Sequence, residues 1–334
     1  MEEFAPIVLF VYNRPEHSLA TLKALKENLE ASSSVLYIYA DGPRESASQK
    51  ELEKIQALRK AIRSEQWCKE VVIRESDTNR GLAKSIVKGV GEVLEVHGKV
   101  IVLEDDIVAS KGFLAYMNEA LYTYESIDKV MHISAYMPDI DRQGLPDTFF
   151  LKFMSCWGWG TWKSSWKKYE SDSLYLLQRL LDEKALEDFN LGGSIKFHNY
   201  LKGNLNGTHN SWAIKWFSSI YFHHGLCLSP RQSLIQNIGF DGSGTHYNSE
   251  NNKRDPMLVE KLANSLKIIV PETIEEHEGA RKALAYFYKY QNDFSTKNVI
   301  RSNLRWLKQR ALFLKDYYQK DKFSLYENSS RIHP

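Results

Sequence analysis

The sequence predicts an α/β protein, a mostly parallel central sheet flanked by helices and followed by a C-terminal helical extension. Three observations predict it. Short apolar runs at 6–12, 35–40, 70–75 and 100–103 alternate with stretches of helical period at 15–29, 50–63 and 82–96. That order, β-α-β-α-β-α-β, gives parallel strands with right-handed crossovers. Polar side chains follow three of the runs at once: Asn13 and Arg14, then Asp41, then Glu104, Asp105 and Asp106. A chain of 334 residues, 43% hydrophobic, can also bury a sizeable core, with room for more than one lobe.

Taken in order, the run Ile7-Val8-Leu9-Phe10-Val11 is continuously apolar and reads as a strand buried on both faces. Pro15 suits the first turn of the next helix, with Glu16 near its positive end. Leu19, Leu22, Leu25 and Leu29 then keep close to helical spacing. The second strand ends in Asp41-Gly42-Pro43, and Leu52, Ile55, Leu58 and Ile62 line one face of the second helix. Strand 70–75, the turn Asn79-Arg80-Gly81 and helix 82–96 lead into Val100-Ile101-Val102-Leu103. In such a sheet the polar residues after the strands gather along the carboxyl edge, where ligands bind. No Gly-x-Gly-x-x-Gly follows the first strand and no phosphate-loop Gly-Lys-Ser/Thr occurs, so neither of those nucleotide fingerprints is present.

Glu104, Asp105 and Asp106 carry the chemistry. Three adjacent carboxylates repel one another, and at the end of a buried strand they cost stability unless a cation joins them. Carboxylate oxygens suit Mg²⁺ or Mn²⁺, ions that commonly bridge to phosphates. Arg14 and Arg80 have the planar fork that pairs with phosphate oxygens.

A net charge of +2 argues against nucleic acid as a partner. Cys68, Cys156 and Cys227 are too few and too scattered for a disulfide framework or a zinc site. No apolar run approaches the roughly 18 residues that span a bilayer, and the acidic start Met1-Glu2-Glu3 is unlike a signal peptide. A cytoplasmic protein is expected.

Beyond Asp106 the pattern changes. A helix at 113–124 and strands at 130–134 and 149–153 precede Trp157-Gly158-Trp159-Gly160-Thr161-Trp162, where indoles alternate with glycines. Indole offers a flat apolar face with one N–H donor, a surface suited to sugar rings; Trp157, Trp159 and Trp212 are the candidates. Trp212 opens a helix to about residue 224, and a glycine-rich loop from Asn237 closes on His246.

In this order and spacing, the residues over roughly 6–246 resemble nucleotide-sugar-dependent glycosyltransferases of the GT-A (Rossmann-like) fold. The likeness is to bacterial surface-polysaccharide enzymes and, more remotely, to the N-acetylglucosaminyltransferase I family. The resemblance implies a nucleotide-sugar-binding half (1–107), an acceptor and catalytic half (108–258) and a helical extension (259–334). It implies that Asp41 contacts uracil and that Asp106 binds Mn²⁺ or Mg²⁺, with His246 near the metal and diphosphate. Glu104 and Asp105 then contact ribose or sugar, and Asn13, Arg14 and Arg80 lie along the donor. The implied partners are a nucleoside-diphosphate sugar, UDP-sugar favoured, and a glycan or lipid-linked glycan acceptor. The implied reaction is metal-dependent, inverting transfer to a hydroxyl in bacterial surface glycan synthesis.

One departure stands out. The family carries an aspartate base before the terminal loop, and Ser211-Trp212-Ala213-Ile214-Lys215-Trp216 has no acid. Asp241, in the glycine-rich loop, is the expected base, with Asp139 the second candidate. Two other classes share these features: a sugar-nucleotide nucleotidyltransferase, although Asn13-Arg14-Pro15-Glu16 lacks the expected glycine/basic loop, and a carbohydrate-binding relative that has lost its base. Finally, between Lys297 and Lys322 eight basic residues accompany only Asp316 and Asp321, along an apolar stripe of helical period. That tail either packs on the catalytic domain or lies on anionic lipid at the inner face of the membrane.

Overall fold

The structure is a computed structural model that describes residues 4–240 and 257–290. It divides into two compact units, Met1–Phe287 and Tyr288–Pro334. Only 288–290 of the second unit are described, as the end of the last helix.

The strands are β1 (Ile7–Val11), β2 (Val35–Ala40), β3 (Glu70–Glu75), β4 (Lys99–Glu104), β5 (Ile107–Ala109), β6 (Val130–Ser134), β7 (Thr148–Leu151), β8 (Trp159–Trp162), β9 (Leu226–Pro230) and β10 (Ile235–Asn237). The helices are α1 (Pro15–Lys26), α2 (Gln49–Ala61), α3 (Leu82–His97), α4 (Phe113–Thr123), the one-turn α5 (Lys163–Trp166), α6 (Ser173–Asp182), the one-turn α7 (Leu186–Phe189), α8 (His198–Asn206), α9 (Trp212–Phe222) and α10 (Glu278–Tyr290). The first seven long elements are those expected, for the reasons expected. Every residue of β1 is buried, since helices cover both sheet faces. Pro15 opens α1, and Gly98 in the left-handed conformation closes α3.

Eight strands form one sheet in the order β3-β2-β1-β4-β8-β6-β9-β7. β3, β2, β1 and β4 are parallel to one another. β8 is antiparallel between β4 and β6, β9 is parallel to β6, and β7 is an antiparallel edge. The expected α/β class with a mostly parallel central sheet is therefore the class observed. From β1 the chain builds outward through β2 and β3, then crosses back to place β4 on the other side of β1. The crevice beyond the carboxyl ends of β1 and β4 is thus a topological switch point, where open α/β sheets bind ligands.

Residues on both sides of the expected boundaries at 107/108 and 258/259 share one core. β4 pairs with β8, Ile101 opposite Gly160, so residues on both sides of position 107 build one sheet and one core. The residues just after 258 pack into that core. Val259 and Ala263 are buried in the core. Backbone N–H groups of Ala263, Ile269 and His277 donate to Ser233, to the Thr148 hydroxyl and to Phe150, each at 2.8 Å. These bonds bind 263–277 along β7 and the strand region beside it; among the described residues after 258, α10 alone is helical. Among the described residues no helix is long and apolar enough to cross a membrane. The basic tail at 297–322 lies outside the described residues.

Candidate active site

The switch point brings together residues far apart in sequence. Arg14 follows β1 and precedes α1, while Glu104 ends β4 with Phe10 of β1 as its register partner. The Arg14 guanidinium donates from Nη1 to Oδ2 of Asp106 at 2.7 Å and to Oδ1 of Asp105 at 3.3 Å. Its Nη2 donates to the carbonyl of Gly239 at 3.5 Å. The acidic turn is pinned from two sides: the Thr21 hydroxyl donates to the Asp105 carbonyl at 3.0 Å, and Ile238 N–H to the Asp106 carbonyl at 2.9 Å.

β5 and β10 explain how residue 239 arrives here. Their antiparallel ladder sets Ile107 opposite Asn237, so the chain leaving β10 passes directly over Asp106. The approach requires glycine. A Cβ on Gly239 would lie 2.2 Å from Oδ2 of Asp106 and 3.0 Å from the Arg14 guanidinium.

The electrostatics are those of crowded acids. Burial, then the charges of Asp106 and Asp105, hold Glu104 well above the usual carboxylate range, with Arg14 opposing. Burial and Asp106 raise Asp105 to about 7, against Arg14 and a Tyr12 backbone hydrogen bond. The Cys156 thiol is pushed up by burial and by the charge of Glu104, which sets it beside the acids. Trp157, its neighbour, meets Phe240 edge-on with ring centroids 5.6 Å apart and Tyr136 at 4.6 Å. Trp157 therefore borders the segment that covers the site.

Asp41 stands at the end of β2, its N–H bonded to the Val11 carbonyl of β1. Its carboxylate accepts from the backbone N–H groups of Gly42, Arg80 and Gly81 at 2.9–3.2 Å, which fixes the turn leading into α3. Arg80 thus contributes its backbone to this brace, and its side chain is exposed. Asn13 is half-buried beside Arg14. The Tyr12 hydroxyl donates to Glu51, and Arg44 lies over its ring.

Trp159, Trp212 and Asp139 have partners inside the protein. Trp159 is 0% and Trp212 4% exposed; the two rings stack at 5.1 Å inside a cluster with Trp166, Trp216 and His132. They are core, not a sugar platform, because β8 runs through the middle of the sheet and α9 packs on it. Asp139 accepts from Arg142 at 2.6 Å and from Glu260 N–H at 2.8 Å. Its carboxylate braces the loop after β6. Asp241 and His246 lie outside the described residues. Gly239, Cys156 and Phe240 were missed as site residues; Gly239 was legible only as part of a glycine-rich loop, since three-residue strands give no periodic signal.

A cavity of about 550 Å³ lined by Lys129, Lys152, Tyr221, His224, Glu275 and Glu276 lies at the amino ends of β6 and β9. Those ends face away from the carboxyl edge that carries Arg14 and the acids, and the cavity shares no residue with that site.

No protein-family model matches the chain, and no curated protein matches it. It is similar to solved structures over about half its length. One is the galactosyltransferase LgtC in complex with donor and acceptor sugar analogues (11% identity, TM-score 0.30, covering 53% of this chain and 65% of that one). Another is the protein TarS of S. aureus (11%, 0.27, 42% and 38%). A third is UDP-glucose pyrophosphorylase complexed with UDP-glucose (13%, 0.26, 44% and 62%). This chain spans less than two thirds of the length of each. At these TM-scores the fold class rests on the strand order itself, and function on the residues at the switch point.

Proposed function

We propose that this protein is a nucleotide-sugar-dependent glycosyltransferase that moves a sugar from a nucleoside-diphosphate donor, UDP-sugar favoured, to a hydroxyl of a glycan acceptor. The observation that supports it most directly is the convergence of Arg14 with Asp105 and Asp106 at the carboxyl ends of β1 and β4, the ligand crevice of an open α/β sheet.

The donor set fits a divalent ion. Asp106, with Asp105 beside it, would hold Mn²⁺ or Mg²⁺, an ion commonly bound by one or two carboxylates plus substrate phosphates. Phosphate oxygens, and His246 in the glycine-rich segment that follows β10, would complete the shell. When bound, the ion offsets negative charge that develops on the departing diphosphate. Arg14 is placed to pair with the same diphosphate through two parallel hydrogen bonds. Asp41, fixed by three backbone N–H groups, would receive the base, and Trp157 would border the sugar. An acceptor hydroxyl ionises far above neutrality, so inverting transfer wants a carboxylate to take its proton. Asp241, next in sequence after Phe240, is the proposed base. Bacterial surface glycan synthesis is the proposed setting, with the basic tail as the contact to a lipid-linked acceptor at an anionic membrane.

A panel of nucleotide sugars with Mn²⁺ tests the reading. Release of nucleoside diphosphate is expected. Formation of nucleoside triphosphate from nucleotide sugar and pyrophosphate would instead make the protein a nucleotidyltransferase, and no turnover with any donor would leave a binding protein.

A further inference from the structure

Arg14 stands where a cation would. Its Nη1 is 2.7 Å from Oδ2 of Asp106 and 3.3 Å from Oδ1 of Asp105, and its Nη2 reaches the Gly239 carbonyl overhead. Both aspartates and the arginine are largely shielded from water: Arg14 and Asp105 are 13% and Asp106 17% exposed. In such surroundings charges are weakly screened, so a guanidinium and a divalent ion on the same Oδ2 repel one another strongly. The guanidinium gives way to the ion at least cost when another anionic partner, with two oxygens for its planar fork, is offered. A diphosphate is such a partner, since guanidinium pairs with phosphate oxygens as readily as with carboxylate.

We propose that Arg14 is an electrostatic latch: it excludes a free divalent cation from Asp106 and yields that position only to a cation arriving with a diphosphate, so that metal and nucleotide bind as a coupled pair. The latch rests on the nucleotide-sugar reading above and adds to it the order of assembly. Its consequence is a positive coupling between metal and nucleotide, reciprocal by linkage. The site stays neutralised when empty and does not sequester metal. Gly239 belongs to the device, because any side chain there would meet both members of the ion pair.

The test uses the full chain and two probes, Mn²⁺ alone and uridine diphosphate, with free Mn²⁺ followed by its paramagnetic resonance and nucleotide binding by calorimetry. Wild type is expected to bind Mn²⁺ alone weakly and far more tightly with uridine diphosphate. Arg14→Gln should bind Mn²⁺ alone at least about tenfold more tightly, bind uridine diphosphate at saturating Mn²⁺ at least about tenfold more weakly, and show a coupling factor close to one. A merely structural ion pair would weaken both. Equal or weaker binding of Mn²⁺ alone by Arg14→Gln overturns the latch, whatever uridine diphosphate does. If wild type binds no uridine diphosphate with Mn²⁺, the nucleotide reading falls and the coupling with it, whereas the Mn²⁺ comparison still decides the exclusion. Should Arg14→Gln fail to fold, Arg14→Lys carries the test. Its ammonium lacks the second nitrogen that reaches the Gly239 carbonyl, so it is held less firmly and should admit Mn²⁺ more readily than wild type; equal affinity overturns the proposal.

Discussion

A side-chain carbon on Gly239 would lie 2.2 Å from Oδ2 of Asp106. The segment leaving β10 is therefore in backbone contact with the acidic turn, a closeness only glycine permits. Gly239→Ala should push the two apart and misplace whatever Asp106 and Arg14 bind. The expected loss is about 10²-fold in turnover, the scale of a displacement near 1 Å. Melting temperature should change little, since the clash is confined to the covering segment. Donor turnover and a thermal melt on the same sample check this; an unaltered turnover would mean that the segment has no part in the site.

The indoles separate by role. Trp159→Ala removes a fully buried ring stacked on Trp212 and should cost about 3–5 kcal/mol of stability. Trp157→Ala, at the border of the covering segment, should weaken nucleotide-sugar binding with a smaller stability loss. Denaturant unfolding and calorimetry on the two variants give the pattern, and a reversed pattern would contradict the assignment of β8 to the core.

His132 should shape the acid limb of stability. Burial lowers it to about 3, against the hydrogen bond to the Ser155 carbonyl. The Trp216 indole N–H donates to Nδ1 at 3.2 Å, so Nε2 carries the proton and donates to Ser155 at 3.0 Å. The folded state thus binds fewer protons than the unfolded state. The stability that neutral His132 contributes is fully present above its ordinary value of 6.5 and is lost as pH falls from there toward about 3. The slope approaches about 1.4 kcal/mol per pH unit. In His132→Gln that component should vanish from denaturant unfolding measured between pH 6.5 and 4; an unchanged slope would place the titration elsewhere.

The first half of the fold was legible because its signals are long and redundant. Strands such as 7–11 are continuous apolar runs, and helices such as α3 carry capping glycines at both ends. The acidic turn was legible because three carboxylates after a buried strand are chemically conspicuous. The second half was legible only in part: the expected helix at 113–124, strands at 130–134 and 149–153 and helix from Trp212 are α4, β6, β7 and α9, whereas its shortest strands gave no signal. β8 is Trp-Gly-Thr-Trp, a composition that reads as a loop, yet it joins β4 to β6 because Gly160 lets the strand lie against Met117 and the Val100 carbonyl. β5 and β10 are three residues each, too short for periodicity, and the pairing between them is what delivers Gly239 to Asp106. Carboxylates such as Asp139 look alike in sequence whether they face a ligand or brace a loop.

The most direct measurement is a calorimetric titration of uridine diphosphate into wild type and Asp106→Asn, each with and without Mn²⁺. If Asp106 holds the ion, the wild type binds more tightly with Mn²⁺ than without. Asp106→Asn, folded as judged by its melt, should lose that metal-dependent gain together with all donor turnover. An Asp106→Asn protein that keeps the full metal-dependent affinity would contradict the assignment of the switch point as the metal and donor site.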